Sequence, residues 1–180
     1  MKKRLCDHNP VSDIERPKIP KKKRVDLLKP EEIRALIENA GHQEFETLFT
    51  LAVMSGMRQG EILGLKWTDI DWLNSQVHVR RTYNHGRFYE PKSEASRRAI
   101  DLGPSVLAAL KRWRTSCPPN AVDWVFPNHV GKPMDAYGLF QRQCLAAQRR
   151  AGLRKFRFHD LRHTYASLLT ANEKGLSQSG

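Results

Sequence analysis

Arg58 and Arg162 lie about a hundred residues apart, and each carries a planar, permanently charged guanidinium that can grip an oxyanion through two parallel hydrogen bonds. A phosphodiester under attack builds negative charge on its non-bridging oxygens, and two such forks match that charge. His159, three residues before Arg162, can move a proton near neutral pH, and Lys92 can protonate a leaving alkoxide. Taken singly, each has an ordinary explanation. A lone arginine is usually solvated or salt-bridged, and a lone histidine is more often structural. Together, the four residue types suggest phosphodiester chemistry. The cysteines Cys6, Cys117 and Cys144 are odd in number and widely separated, with neither disulfide-framework nor zinc-ligand spacing, so they read as reduced, ordinary thiols.

The elements that must position these residues follow from apolar period and breakers. Pro30 suits a first helical turn, Ile33, Leu36, Ile37 and Ala40 share one face, and Gly41 is a stop. Phe45, Leu48, Phe49, Ala52 and Val53 keep the helical period until Gly56 breaks it, and a short helix restarts over Gln59–Leu65. Arg58 therefore falls at a tight helix-to-helix junction. Val77–Val79, Gly86–Glu90 and Arg98–Leu102 read as three short antiparallel strands, with Lys92 in the turn between the last two. Further helices are expected from Pro104 through Trp113 and from about Asp135 to Ala151. On a last helix, from His159 to about Ala171, His159 and Arg162 share one face, while Leu161, Tyr165 and Leu168 turn to the buried side. The fold class is α+β: a mostly helical domain with a small three-stranded antiparallel sheet.

Composition bounds the function. The 180 residues, 39% of them hydrophobic, make one domain of ordinary size, and the formal charge of +12 favours a polyanionic partner. Residues 1–29, with Pro10, Pro17, Pro20 and the run Lys21-Lys22-Lys23-Arg24, have no amphipathic period and read as a basic linker that can lie along a phosphate backbone. Residues 30–171 form the domain and 172–180 a tail. No apolar run reaches the length of a membrane span, and the polar start has no signal-peptide core, so a cytoplasmic protein is expected.

Three motifs, in order, resemble the tyrosine recombinases, the phage-integrase class of site-specific DNA recombinases. Ser55-Gly56-Met57-Arg58-Gln59-Gly60-Glu61-Ile62-Leu63-Gly64-Leu65-Lys66-Trp67 is similar to the family's first box, with Arg58 as a catalytic arginine and Glu61 as its supporting acid. Pro91-Lys92-Ser93 with Ser96-Arg97-Arg98-Ala99-Ile100 resembles the β-hairpin that carries the catalytic lysine. His159-Asp160-Leu161-Arg162-His163-Thr164-Tyr165-Ala166-Ser167 resembles the second box, His-x-x-Arg. The resemblance covers roughly residues 26 to 171. It implies the DNA breaking-rejoining catalytic-domain fold and a reaction needing neither metal nor small-molecule cofactor. In that reaction a tyrosine attacks the scissile phosphate to give a 3′-phosphotyrosyl link. Arg58 and Arg162 would hold the phosphate, Lys92 would act as general acid, and His159 would assist proton transfer. Double-stranded DNA is the implied partner, bound mainly through phosphates and also by Lys21, Lys22, Lys23 and Arg24.

The family pattern continues past the second box with a Gly-His or Gly-Trp motif and then the nucleophilic tyrosine, and no tyrosine follows Tyr165. Tyr83 and Tyr89 fall in predicted strands and Tyr137 at a helix start, so none holds the nucleophile's place. The expectation is a catalytic domain with its C-terminal part missing, which binds DNA without cutting it. As such it would be a monomer, although the family assembles as a tetramer on DNA. The alternative is a naturally truncated DNA-binding regulator or an inactive integrase remnant. A general RNA-binding protein is disfavoured, because it would need neither Arg58 nor His159-x-x-Arg162 and the chain lacks an aromatic single-strand platform.

Overall fold

Phe45, Leu48, Phe49, Leu51, Ala52 and Val53 fall on every side of one helix, and that helix is accordingly buried almost all round. The computed structural model describes residues 27–90 and 98–177, with only the helical course given for 168–177. The basic linker, including Lys21–Arg24, and Lys92 lie outside the described residues.

Helix α1 (Pro30–Glu38) leads into the central α2 (Gln43–Ser55), which packs against α1, α4 (Pro104–Ser116) and α7 (Phe158–Ser177). Short α3 (Gln59–Leu63) follows α2 after a sharp turn. The predicted helix from Asp135 is realised in pieces: α5 (Ala136–Gly138), a π-helical stretch (Leu139–Cys144) and α6 (Leu145–Arg150). Its inward residues Leu139, Cys144 and Ala147 are buried as the period requires. The packed domain also reaches back to Leu28 in the expected linker; Leu28 is 4% exposed, and its N–H donates to Thr164 Oγ1 on α7 at 3.1 Å. Each such large apolar side chain, once fully buried, contributes roughly 1.5–3 kcal/mol before chain entropy is counted.

Strand pairing departs from the expected order. The three-stranded antiparallel sheet is β1-β2-β5, formed by β1 (Ile70–Asp71), β2 (Gln76–Val79) and β5 (Arg98–Asp101). The Gly86–Glu90 segment instead provides β4 (Arg87–Tyr89), which pairs with β3 (Thr82–Asn84) in a separate ribbon. The two strands flanking residues 91–97 thus belong to different sheets, rather than to one hairpin as expected. Side chains explain the choice. Val77 faces Ile100 across β2 and β5, whereas Tyr83 and Phe88 pair across the ribbon at 4.9 Å between ring centroids, and Phe88 stacks on Trp124 at 5.1 Å.

Lys29 is a poor helix cap by residue type, yet α1 starts cleanly because the Glu32 carboxylate accepts the Lys29 N–H at 2.8 Å. This arrangement recurs. Glu61, Asp69 and Asp160 accept the N–H groups of Arg58, Lys66 and Arg157 at 2.8, 2.9 and 2.8 Å. In every case a basic residue stands where Ser or Thr would be usual, and the acid three positions on satisfies its N–H.

The α2-to-α3 turn depends on Gly56, whose φ of +61° lies in the left-handed region. A Cβ there would also collide with the Tyr165 ring. Gly56→Ala combines a left-handed alanine with overpacking, so an expected loss of at least about 2 kcal/mol follows, read as a lower urea midpoint with an unchanged slope.

Candidate functional site

The turn closed by Gly56 is the point at which the two motif arginines meet. Met57 is buried and fixes the turn to the core, and Arg58 begins α3 with its side chain 59% exposed. Arg162 arrives from α7, on the far side of the turn, and its guanidinium donates a hydrogen bond to the Gly56 carbonyl. Burial pulls the Arg162 pKa down, with Arg58 and Arg98 adding to the fall and Glu61 opposing it. Four charged groups thus share one local field.

Glu61 is the anion among them and is only 4% exposed. Burial alone would raise its pKa, but hydrogen bonds from Arg98 and Arg58 outweigh that and hold it below its ordinary value of 4.5. Arg98 donates Nη1 to Oε1 at 3.1 Å and Nη2 to Oε2 at 2.8 Å. Arg58 donates Nη1 to Oε1 at 2.9 Å and its backbone N–H to Oε2 at 2.8 Å.

His159 is exposed at the start of α7, its ring edge-on to that of His163 at 4.6 Å between centroids. Its pKa is lowered, first by desolvation and then by the charges of His163, Arg162 and Arg157 against the opposing Asp160. Both effects favour the neutral imidazole, the form able to accept a proton. Asp160 anchors this end of the helix by accepting from Arg157, and Thr164 Oγ1 donates to the Asp160 carbonyl at 3.0 Å.

Of the residues singled out from sequence, Arg58, Glu61, His159 and Arg162 converge on this junction. Tyr165 is corrected: instead of turning into the core it is half-buried, lies over Gly56, and lines a groove of about 460 Å³ with Arg98, Arg162 and His163. The reason is a contact between distant segments, since Gly56 has no Cβ and leaves a flat seat for the aromatic ring from α7. Arg98 is not among the site residues that the motifs single out. Period-two alternation carries the signal, because Arg98 and Ile100 share the inward face of β5.

Two guanidiniums from separate helices, a buried acid behind one of them and an imidazole beside the other are gathered at one turn, a set of groups with the chemistry to bind a tetrahedral oxyanion and to move a proton. This set on a helical domain with small antiparallel sheets is the class to which the sequence motifs pointed. The chain belongs to the phage integrase family, whose model matches residues 26–178. A "Tyrosine recombinase XerC-like" protein of Caldanaerobacter subterraneus subsp. tengcongensis is 32% identical over 170 residues, covering 81% of this chain and 43% of the relative. The ICEBs1 integrase of Bacillus subtilis is 29% identical over 184 residues, covering 92% and 48%. The chain thus spans under half the length of these curated relatives. Among solved structures, XerA recombinase shares the fold with a TM-score of 0.71 at 24% identity, over 87% of this chain and 53% of that one. XerH recombinase bound to difH in a pre-cleavage complex matches at 26% identity and a TM-score of 0.60, over 81% and 43%.

No group of three or more potential metal ligands occurs among the described residues, and no described helix is long and apolar enough to cross a membrane.

Removing the Glu61 charge weakens its hydrogen bonds to two partly exposed guanidiniums, so Glu61→Gln is expected to cost about 1.5–3 kcal/mol at pH 7 in chemical unfolding. Because the folded-state pKa lies below 4.5, the gap between native protein and variant is complete above about pH 4.5 and shrinks as pH falls through the lowered value. A gap that persists undiminished to pH 2 would contradict the charge assignment.

Proposed function

We propose that this chain is the phosphate-holding part of an integrase-type site-specific DNA recombinase, acting on double-stranded DNA. The observation that carries the reading is the Arg162 contact to the Gly56 carbonyl, which brings the second-box arginine to the turn from which Arg58 projects. Arg58 and Arg162 hold the non-bridging oxygens of the scissile phosphate, where charge grows as the bond to phosphorus forms. Glu61 keeps Arg58 oriented. His159, neutral and exposed, accepts a proton from the attacking hydroxyl, and Lys92 gives one to the departing 5′-oxygen. The nucleophile in this scheme is a tyrosine beyond the second box in the family pattern; Tyr83, Tyr89, Tyr137 and Tyr165 do not take that role. Binding without an adduct is then the behaviour expected of residues 1–180 alone. Support for DNA as the partner comes from the +12 charge and from relatives solved on DNA, XerH on difH among them.

Arg58→Ala and Arg162→Ala test this on the folded protein. Each should weaken binding to a duplex by about tenfold, the scale of one charge-assisted hydrogen bond, and lower the salt slope by about 1. Unchanged affinity and slope in both variants, with native amide spectra, would refute the clamp.

A further inference from the structure

A carboxylate offers about four lone-pair positions to donors, and Glu61 has four donors on it. Oε1 takes Arg58 Nη1 and Arg98 Nη1, and Oε2 takes the Arg58 backbone N–H and Arg98 Nη2. Arg98 alone makes the bidentate, fork-to-carboxylate contact; Arg58 is left with a single side-chain bond. This division of acceptors has a consequence for charge. A guanidinium docked squarely on a buried carboxylate is neutralised and turned inward, whereas Arg58 remains 59% exposed while Arg98, at 30%, carries the pairing.

We infer that Arg98 is a positioning residue that fills half of the acceptor sites of Glu61, so that Arg58 cannot collapse onto its own brace and keeps its guanidinium turned outward for an oxyanion. The inference rests on the reading of Arg58 and Arg162 as a phosphate clamp. It assigns work to a strand as well as to helices: Arg98 opens β5 and reaches from the sheet to the start of α3. Removing Arg98 opens two acceptor sites beside Arg58, whose fork is already bonded to Oε1 and has further N–H groups to offer them. The carboxylate then draws Arg58 away from the ligand without any change in the ligand-facing residues.

A simpler role, in which Arg98 only adds one positive charge to the neighbourhood, makes different predictions. Sulfate serves as the probe, a tetrahedral dianion standing in for phosphate, titrated while the Nε–Hε resonances of Arg58 and Arg162 are followed by NMR and the amide spectrum reports folding. Arg98→Gln should raise the sulfate Kd about five- to tenfold when Glu61 is present and less than twofold when Glu61 is already Gln, the coupling expected of neighbours in one network. Arg98→Lys keeps the charge but has no fork, so it too should weaken sulfate binding, by about threefold or more. A native-like Kd for Arg98→Lys overturns the inference, and so does an equal loss from Arg98→Gln in both backgrounds. Should Glu61→Gln fail to fold, the comparison of Arg98→Lys with Arg98→Gln decides alone. A native protein in which sulfate shifts neither Arg58 nor Arg162 refutes the clamp itself and this inference with it; a native protein that binds sulfate, with Arg98 variants that behave additively, refutes only the inference.

Discussion

A carboxylate buried to 4% exposure has to be paired, and Glu61 is paired on both sides, so the position of one acidic side chain governs the relative placement of a helix start, a turn and a strand. The same group caps α3, orients Arg58 and receives Arg98 from β5. Each of these contacts satisfies a polar atom that burial would otherwise leave costly. The arginine junction is therefore part of the folded core and not an appendage to it.

The device recurs at Asp69 among the described residues. Asp69, 1% exposed, accepts the Lys66 N–H and the Arg81 guanidinium, which also reaches the Gly64 carbonyl at 3.1 Å. In both places an acid collects the backbone N–H of the residue three positions before it and an arginine from the sheet region. The two clamps fasten the small sheets to α3 and the segment after it. With α2 packed against α7 behind them, they hold the Gly56 turn between rigid partners, which is what preorganised oxyanion binding requires.

Much of this was legible in the sequence. The helices around Leu36, Leu110 and Leu161 follow from the spacing of an apolar stripe, and the one around Phe49 from a run of apolar residues long enough to be buried all round. Gly56 was readable as a break, and His159 with Arg162 as one helix face. What escaped depends on contacts between distant segments. The pairing of β5 with β2 instead of β4 is decided by Val77 meeting Ile100 and by Tyr83 meeting Phe88, and no local pattern encodes partner choice. The seat of Tyr165 on Gly56 and the fork of Arg98 on Glu61 are likewise long-range. A wheel gives the direction of a side chain; it does not tell what stands there to meet it. The π-helical stretch over Leu139–Cys144 is also invisible to a period of 3.6.

Convergence of Arg58 and Arg162, through the Gly56 turn and the Glu61 brace, on one oxyanion is tested most directly by a crystal structure of the protein grown with orthovanadate. The expected result is vanadate oxygens within hydrogen-bond distance of both guanidiniums, with the Glu61 contacts to Arg58 and Arg98 intact. Vanadate bound to one arginine only, or held elsewhere with the junction empty, would contradict it.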